Sequence, residues 1–151
     1  MITLTELPVM KEAQTQTEPM RAALIAPCGM NCRLCMAYNR ARNPCPGCRI
    51  VDSGKPKTRA RCRIKTCEKM VNREYRYCFA CDTFPCTRLV HLDQRYKAKY
   101  GMSMVENLTQ ISATGIRRFI RREQERWACP RCGTLICVHK PRCLSCAYEW
   151  R

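Results

Sequence analysis

Fifteen of the 151 residues are cysteine, and ten of these form five C-x-x-C pairs: Cys32 with Cys35, Cys45 with Cys48, Cys78 with Cys81, Cys129 with Cys132, and Cys143 with Cys146. Each pair supplies two thiolates from one tight turn, the geometry that completes a tetrahedral metal site when two turns meet. Thiols this dense mean either a disulfide scaffold of a secreted protein or metal sites in a reducing compartment. The odd count leaves one thiol over in any disulfide framework. Residues 1 to 27 carry Glu6, Glu12 and Glu18 without a continuous apolar run, so they do not read as a secretory signal. No segment approaches the roughly 20 apolar residues of a membrane span. A cytoplasmic, metal-stapled protein that does not cross a membrane is the expectation.

Composition points the same way. The hydrophobic share of 46 % counts the cysteines, and only 3 Phe and 2 Trp are present to anchor a core. Metal staples would make up that deficit. The formal net charge of +16 falls to about +10 if three divalent zinc ions are held by twelve thiolates. That excess still favours acidic partners.

Along the chain, residues 1–24 mix Thr, Gln, Glu and Pro without periodicity and read as a flexible extension. Residues 25–86 hold ten cysteines among many turn formers, which leaves room for knuckles and short elements. Residues 87–127 lack cysteine and show helical spacing. Leu89, Leu92 and Tyr96 mark a first helix stopping near Gly101. Ser103 should cap a second, with Met104, Val105 and Leu108. After Thr114 and Gly115, the residues Ile116, Phe119, Ile120 and Trp127 form the apolar stripe of a third. Residues 128–151 return to paired cysteines around Thr134, Leu135, Ile136 and Val138, a β-hairpin composition. The expected fold is small, irregular α+β: metal-stapled knuckles, a helical middle and a C-terminal zinc-ribbon hairpin.

The pairs Cys129/Cys132 and Cys143/Cys146 are separated by ten residues, the arrangement of a zinc ribbon. Cys137 and His139 lie between them, as strand residues beside the site or as substitute ligands. Farther upstream, Cys32/Cys35 and Cys45/Cys48 make the simplest second four-thiolate site. Cys78/Cys81 then finds partners in Cys62 and Cys67, which leaves Cys28 and Cys86 and keeps interleaved pairings open. Zinc, about three ions per chain, is the expected cofactor. An iron–sulfur cluster in the N-terminal region is the alternative, because cysteine-only ligand sets suit both. The spacing of Cys28, Cys32 and Cys35 is also that of radical enzymes using S-adenosylmethionine, but the residues that follow lack the strand and helix alternation of their barrel.

No Ser/His/Asp order, phosphate-cradling glycine loop or close carboxylate pair is present, and His91 has no evident partner, so a non-enzymatic role is expected. A basic run includes Arg49, Lys55, Lys57, Arg59, Arg61, Arg63, Lys65 and Lys69. A second positive face on the third helix carries Arg117, Arg118, Arg121, Arg122 and Arg126. With Tyr75, Tyr77 and Phe79 as stacking surfaces, these point to RNA or a ribonucleoprotein. The competing readings are charges that only solubilise the chain and offset the thiolates, and a zinc adaptor that docks an acidic protein.

The run Ala26-Pro-Cys28-Gly-Met-Asn-Cys32-Arg-Leu-Cys35-Met-Ala-Tyr38, with Cys45-Pro-Gly-Cys48, Cys62-Arg-Ile-Lys-Thr-Cys67 and Cys78-Phe-Ala-Cys81-Asp-Thr-Phe84-Pro-Cys86, resembles the bacterial and archaeal family called domain of unknown function 3795. The likeness continues through Tyr100 to Leu108, Gly115 to Phe119 and the ribbon, roughly residues 25 to 146. It implies a cysteine-rich, zinc-binding protein without an assigned activity, and it implies that Cys28, Cys86 and His139 belong to the metal constellation.

Overall fold

The computed structural model describes residues 18–49, 55, 57–72 and 75–151. The extension reading of residues 1–17 lies outside the described residues. Three single-turn helices, α1 (Met36–Asn39), α2 (Lys57–Ala60) and α3 (Glu68–Val71), precede three longer ones, α4 (Thr87–Tyr100), α5 (Met104–Thr114) and α6 (Ile116–Arg126). The long helices lie where apolar spacing and end signals place them. α4 buries Leu89, Asp93 and Tyr96 on one face and stops at Gly101, whose φ of 64° is the left-handed cap that glycine adopts at little cost. The Ser103 hydroxyl accepts the Glu106 N–H at 3.0 Å and so begins α5. Asp93 ties the two helices together, accepting from the Ser103 hydroxyl at 2.6 Å and the Val105 N–H at 3.0 Å. α6 turns Phe119 fully inward and keeps its arginines outside.

α5 lies centrally, packed on α4, on α6 and on the turn Cys78–Ala80. The N-terminal segment meets it at Gly29. The positive φ there, 87°, and a Cβ position 2.6 Å from the Met104 carbonyl oxygen leave space only for glycine. The Asn107 amide donates to the Gly29 carbonyl at 2.9 Å, within the same contact.

Residues 18–24 are packed, which corrects the expected boundary of the extension. Met20 and Leu24 are buried, the turn Ala22–Leu24 rests on α6, and the Met20 N–H donates to Gln124 at 3.1 Å. Arg33, 1 % exposed, donates from Nε to the Glu18 carbonyl at 2.8 Å and from Nη1 to Asn39 at 2.6 Å. Its guanidinium thereby ties residues 18–20 to α1.

The C-terminal segment differs from the hairpin expectation. Among the described residues the protein is mostly helical, and its β structure consists of isolated antiparallel bridges, Ala128 with Leu135 and Arg142 with Glu149 in this segment. Each bridge closes one cysteine turn, and beyond the first the chain bonds outward. The Ile136 N–H goes to the Trp127 carbonyl at 3.0 Å, and the Val138 N–H to the Leu34 carbonyl at 2.9 Å. The segment is thereby held to the end of α6 and to the N-terminal cysteine turns. No helix among the described residues is long and apolar enough to cross a membrane.

Candidate metal centre

The two C-terminal turns are built alike. The Cys129 N–H donates to the Thr134 carbonyl at 2.7 Å, and the Gly133 N–H returns to the Cys129 carbonyl at 2.8 Å. In the second turn, Cys143 bonds to Tyr148 at 2.8 Å and Ala147 to Cys143 at 3.0 Å. Equivalent positions take left-handed backbone, Gly133 at φ 76° and Ala147 at φ 60°. Facing one another, the turns bring the sulfurs of Cys129, Cys132, Cys143 and Cys146 within 4.8 Å of each other. Two cross-turn pairs, Cys129 with Cys146 and Cys132 with Cys143, are 3.6 Å apart. A tetrahedron with metal–sulfur bonds of about 2.3 Å has edges of about 3.8 Å. The quartet therefore fits one ion. Among the described residues, no other group of three or more Cys, His, Asp or Glu closes to that spacing.

Hydrogen bonds from Thr134 and the second turn favour ionisation of two of these sulfurs, Cys132 and Cys143. The Thr134 hydroxyl lies 3.0 Å from the Cys132 sulfur and 3.5 Å from that of Cys143. At Cys132 this contact and the Thr134 backbone N–H lower the thiol pKa. Burial opposes ionisation of Cys143, but the Thr134 hydroxyl and the N–H groups of Cys146 and Ser145 bring it down to about 6. Thiolates are what a metal binds, so donors aimed at sulfur favour capture.

The N-terminal cysteines converge differently. Cys28, Cys32, Cys35 and Cys45 are buried, and Cys48, Cys62, Cys67, Cys78, Cys81 and Cys86 are half-buried. Burial raises the Cys28 thiol, and the neighbouring charges of Cys48, Cys62 and Cys78 raise it further. Cys32 and Cys48 share a side-chain hydrogen bond, which lowers Cys48 to about 6 with help from Lys55, Lys65 and Arg59. Burial pushes Cys78 up to about 12, reinforced by Cys86, Cys67 and Cys81. The charges acting on Cys28 thus come from three different cysteine turns, while Cys48 also acts on both Cys32 and Cys35.

Cys137 and His139 join regions. Cys137 is buried, and its thiol is raised by burial and by Cys35. His139 accepts the Met36 N–H at Nδ1, 3.2 Å away, and meets the Tyr96 hydroxyl at Nε2, 3.0 Å away. Burial, with Arg59 and Arg151 nearby, keeps its pKa below the usual value. Both ring nitrogens of His139 are engaged in holding the C-terminal segment against α1 and α4.

The basic residues divide. Arg117, Arg118, Arg121 and Arg122 are exposed along one side of α6, as are Lys57, Arg59 and Arg61 on and just after α2. Lys55 and Arg59 are close enough to Cys48 to favour its thiolate. Arg49 is structural, donating to the Ile25 carbonyl at 2.6 Å and the Arg76 carbonyl at 2.8 Å while lying over the Tyr77 ring at 4.6 Å. Tyr77 is buried between Arg49 and the stacked ring of Phe79, which removes it from the expected base-stacking surface. The buried polar residues Arg33 and Glu123 were not anticipated. Glu123 accepts the Trp127 indole N–H at 2.7 Å, and the i,i+4 spacing of an acid and a tryptophan was the available sign of it.

No curated protein and no solved structure matches the chain. Residues 24–91 match a family described as Protein of unknown function (DUF3795). The matched segment holds the ten N-terminal cysteines and the start of α4, while the four-sulfur cluster lies beyond it. Over its cysteine-rich N-terminal half, the chain resembles that family.

Proposed function

We propose that this is a non-enzymatic zinc protein whose metal sites hold a basic helix face for contact with RNA or a ribonucleoprotein. The observation behind the reading is α6. Its four arginines, at 117, 118, 121 and 122, are exposed on the side opposite buried Phe119 and Glu123. Positions four apart on a helix share a face, so Arg117 with Arg121 and Arg118 with Arg122 form two adjacent rows that can meet successive phosphates. The four-sulfur cluster sits directly after this helix and is bonded to its end through Trp127, so the ion would steady the arginine face.

The test is RNA affinity against salt. Between about 50 and 200 mM salt, binding should fall steeply, with a log–log slope near −0.7 for each phosphate contact on a single strand. Replacing all four arginines by alanine should flatten that slope. Salt-independent binding would remove phosphate contact from the account.

A second reading, iron–sulfur redox chemistry in the N-terminal region, is favoured by one feature. Its thiols are gathered in apolar surroundings but stand wider apart than one ion requires. Visible absorption that bleaches on reduction of anaerobically purified protein supports this reading, and colourless protein without iron excludes it.

A further inference from the structure

We propose that Cys67, Cys78, Cys81 and Cys86 form one thiolate-held metal centre, with Cys86 taking the place that spacing along the chain offered to Cys62. This rests on the metal-binding reading above and names the ligands of a second site within it. The four residues line a single cavity of about 670 Å³ between α3 and the start of α4. Cys62 is absent from that wall. It lies instead among the charges acting on Cys28. Cys78 senses Cys86, Cys67 and Cys81, in that order.

Each ligand is delivered by a defined turn. Cys67 precedes α3 and Cys86 precedes α4, both with extended ψ that leaves the side chain outside the helix. Cys78 and Cys81 flank the short turn Cys78–Ala80, closed by the Cys81 N–H on the Cys78 carbonyl at 3.1 Å. Around them Ile64, Phe84 and Leu89 supply an apolar wall. Lys69, ion-paired with Asp82, points its ammonium at the Cys81 sulfur from 3.6 Å. The shared chemistry is four thiolates taking a thiophilic cation. One zinc ion would draw the sulfurs together by side-chain rotation, whereas an iron–sulfur cluster would hold them at wider spacing.

The first test uses the unmutated full chain loaded with cadmium and followed by cadmium–proton correlation NMR. The expected result is one cadmium resonance coupled to the β-protons of Cys67, Cys78, Cys81 and Cys86, and a separate one coupled to the C-terminal four. A resonance joining Cys78 and Cys81 to Cys62 without Cys86 overturns the assignment. Coupling at the C-terminal four alone overturns the cavity site but leaves the first metal site standing, and coupling at neither removes the metal reading as a whole. Native mass spectrometry of anaerobically purified variants gives a second readout. Cys86→Ser should lose one centre and keep the C-terminal ion, while Cys62→Ser should keep the cavity centre; the reverse pattern overturns the proposal. Iron with sulfide or zinc in the lost centre then tells the two sources apart.

Discussion

The C-terminal cluster and the N-terminal cysteine region use the same residue type in opposite ways. In the cluster, two similar turns bring four sulfurs within 4.8 Å, and all four come from 18 consecutive residues. In the N-terminal region, thiols from different turns meet only because α4 and α5 hold those turns together: Cys78 bonds through its N–H to the Pro27 carbonyl at 2.9 Å, and Gly29 is pressed on α5. Local pairs make a site that can close by itself, whereas dispersed pairs make sites that depend on the helical core. Damage to the core should therefore reach the N-terminal thiols, and damage to the cluster should leave the helices folded.

The largest effect is expected from Cys143→Ser. A structural zinc site is worth roughly 10–16 kcal/mol of folding free energy in small peptides. The variant should lose one ion and the order of residues 128–151 while the circular dichroism of α4 to α6 persists. Phe119→Ala, at a fully buried position, should lower stability by about 3–5 kcal/mol in chemical denaturation. It should also make the N-terminal thiols react faster with a thiol reagent; unchanged reactivity would break the proposed dependence on the core.

A glycine pair sharpens the comparison at smaller cost. Gly29→Ala meets the Met104 carbonyl, and Gly101→Ala, at φ 64°, meets open space. The second should cost about 1–2 kcal/mol, the usual penalty for a side chain in left-handed backbone. Denaturation should show the first to cost more. Ala147→Gly removes that same penalty from the second cysteine turn, where φ is 60°, and should stabilise residues 128–151 by up to about 1 kcal/mol. A slower metal loss to a chelator would register it.

Glu123 gives the smallest effect. Burial raises its folded pKa, against the pull of the Trp127 and Arg126 hydrogen bonds. A carboxyl with a raised folded pKa carries no penalty below its unfolded pKa and acquires one as pH rises through the folded value. Glu123→Gln should therefore gain on the parent as pH rises through that window, in parallel thermal melts.

The long helices were legible because their signals are local: apolar residues three and four apart, a capping Ser103 and a stopping Gly101. The C-terminal quartet was legible for the same reason, since each turn needs only its own neighbours. Its longer hairpin was not, because pairing stops at the Ala128–Leu135 bridge and the Val138 N–H turns to Leu34, outside the segment. The company of Cys28 depends on which turns α5 brings together, and chain spacing does not encode that. Arg33 was unreadable as a buried group because its partner, the Glu18 carbonyl, becomes apparent only in three dimensions, whereas the i,i+4 spacing of Glu123 and Trp127 was a legible sign.

The central claim is that sulfur-bound metal holds the C-terminal turns. Metal content per chain, measured by mass spectrometry on anaerobically purified protein beside its Cys143→Ser variant, tests it most directly. The account predicts one thiophilic ion fewer in the variant. Equal metal content in the two proteins, or none in either, would contradict it.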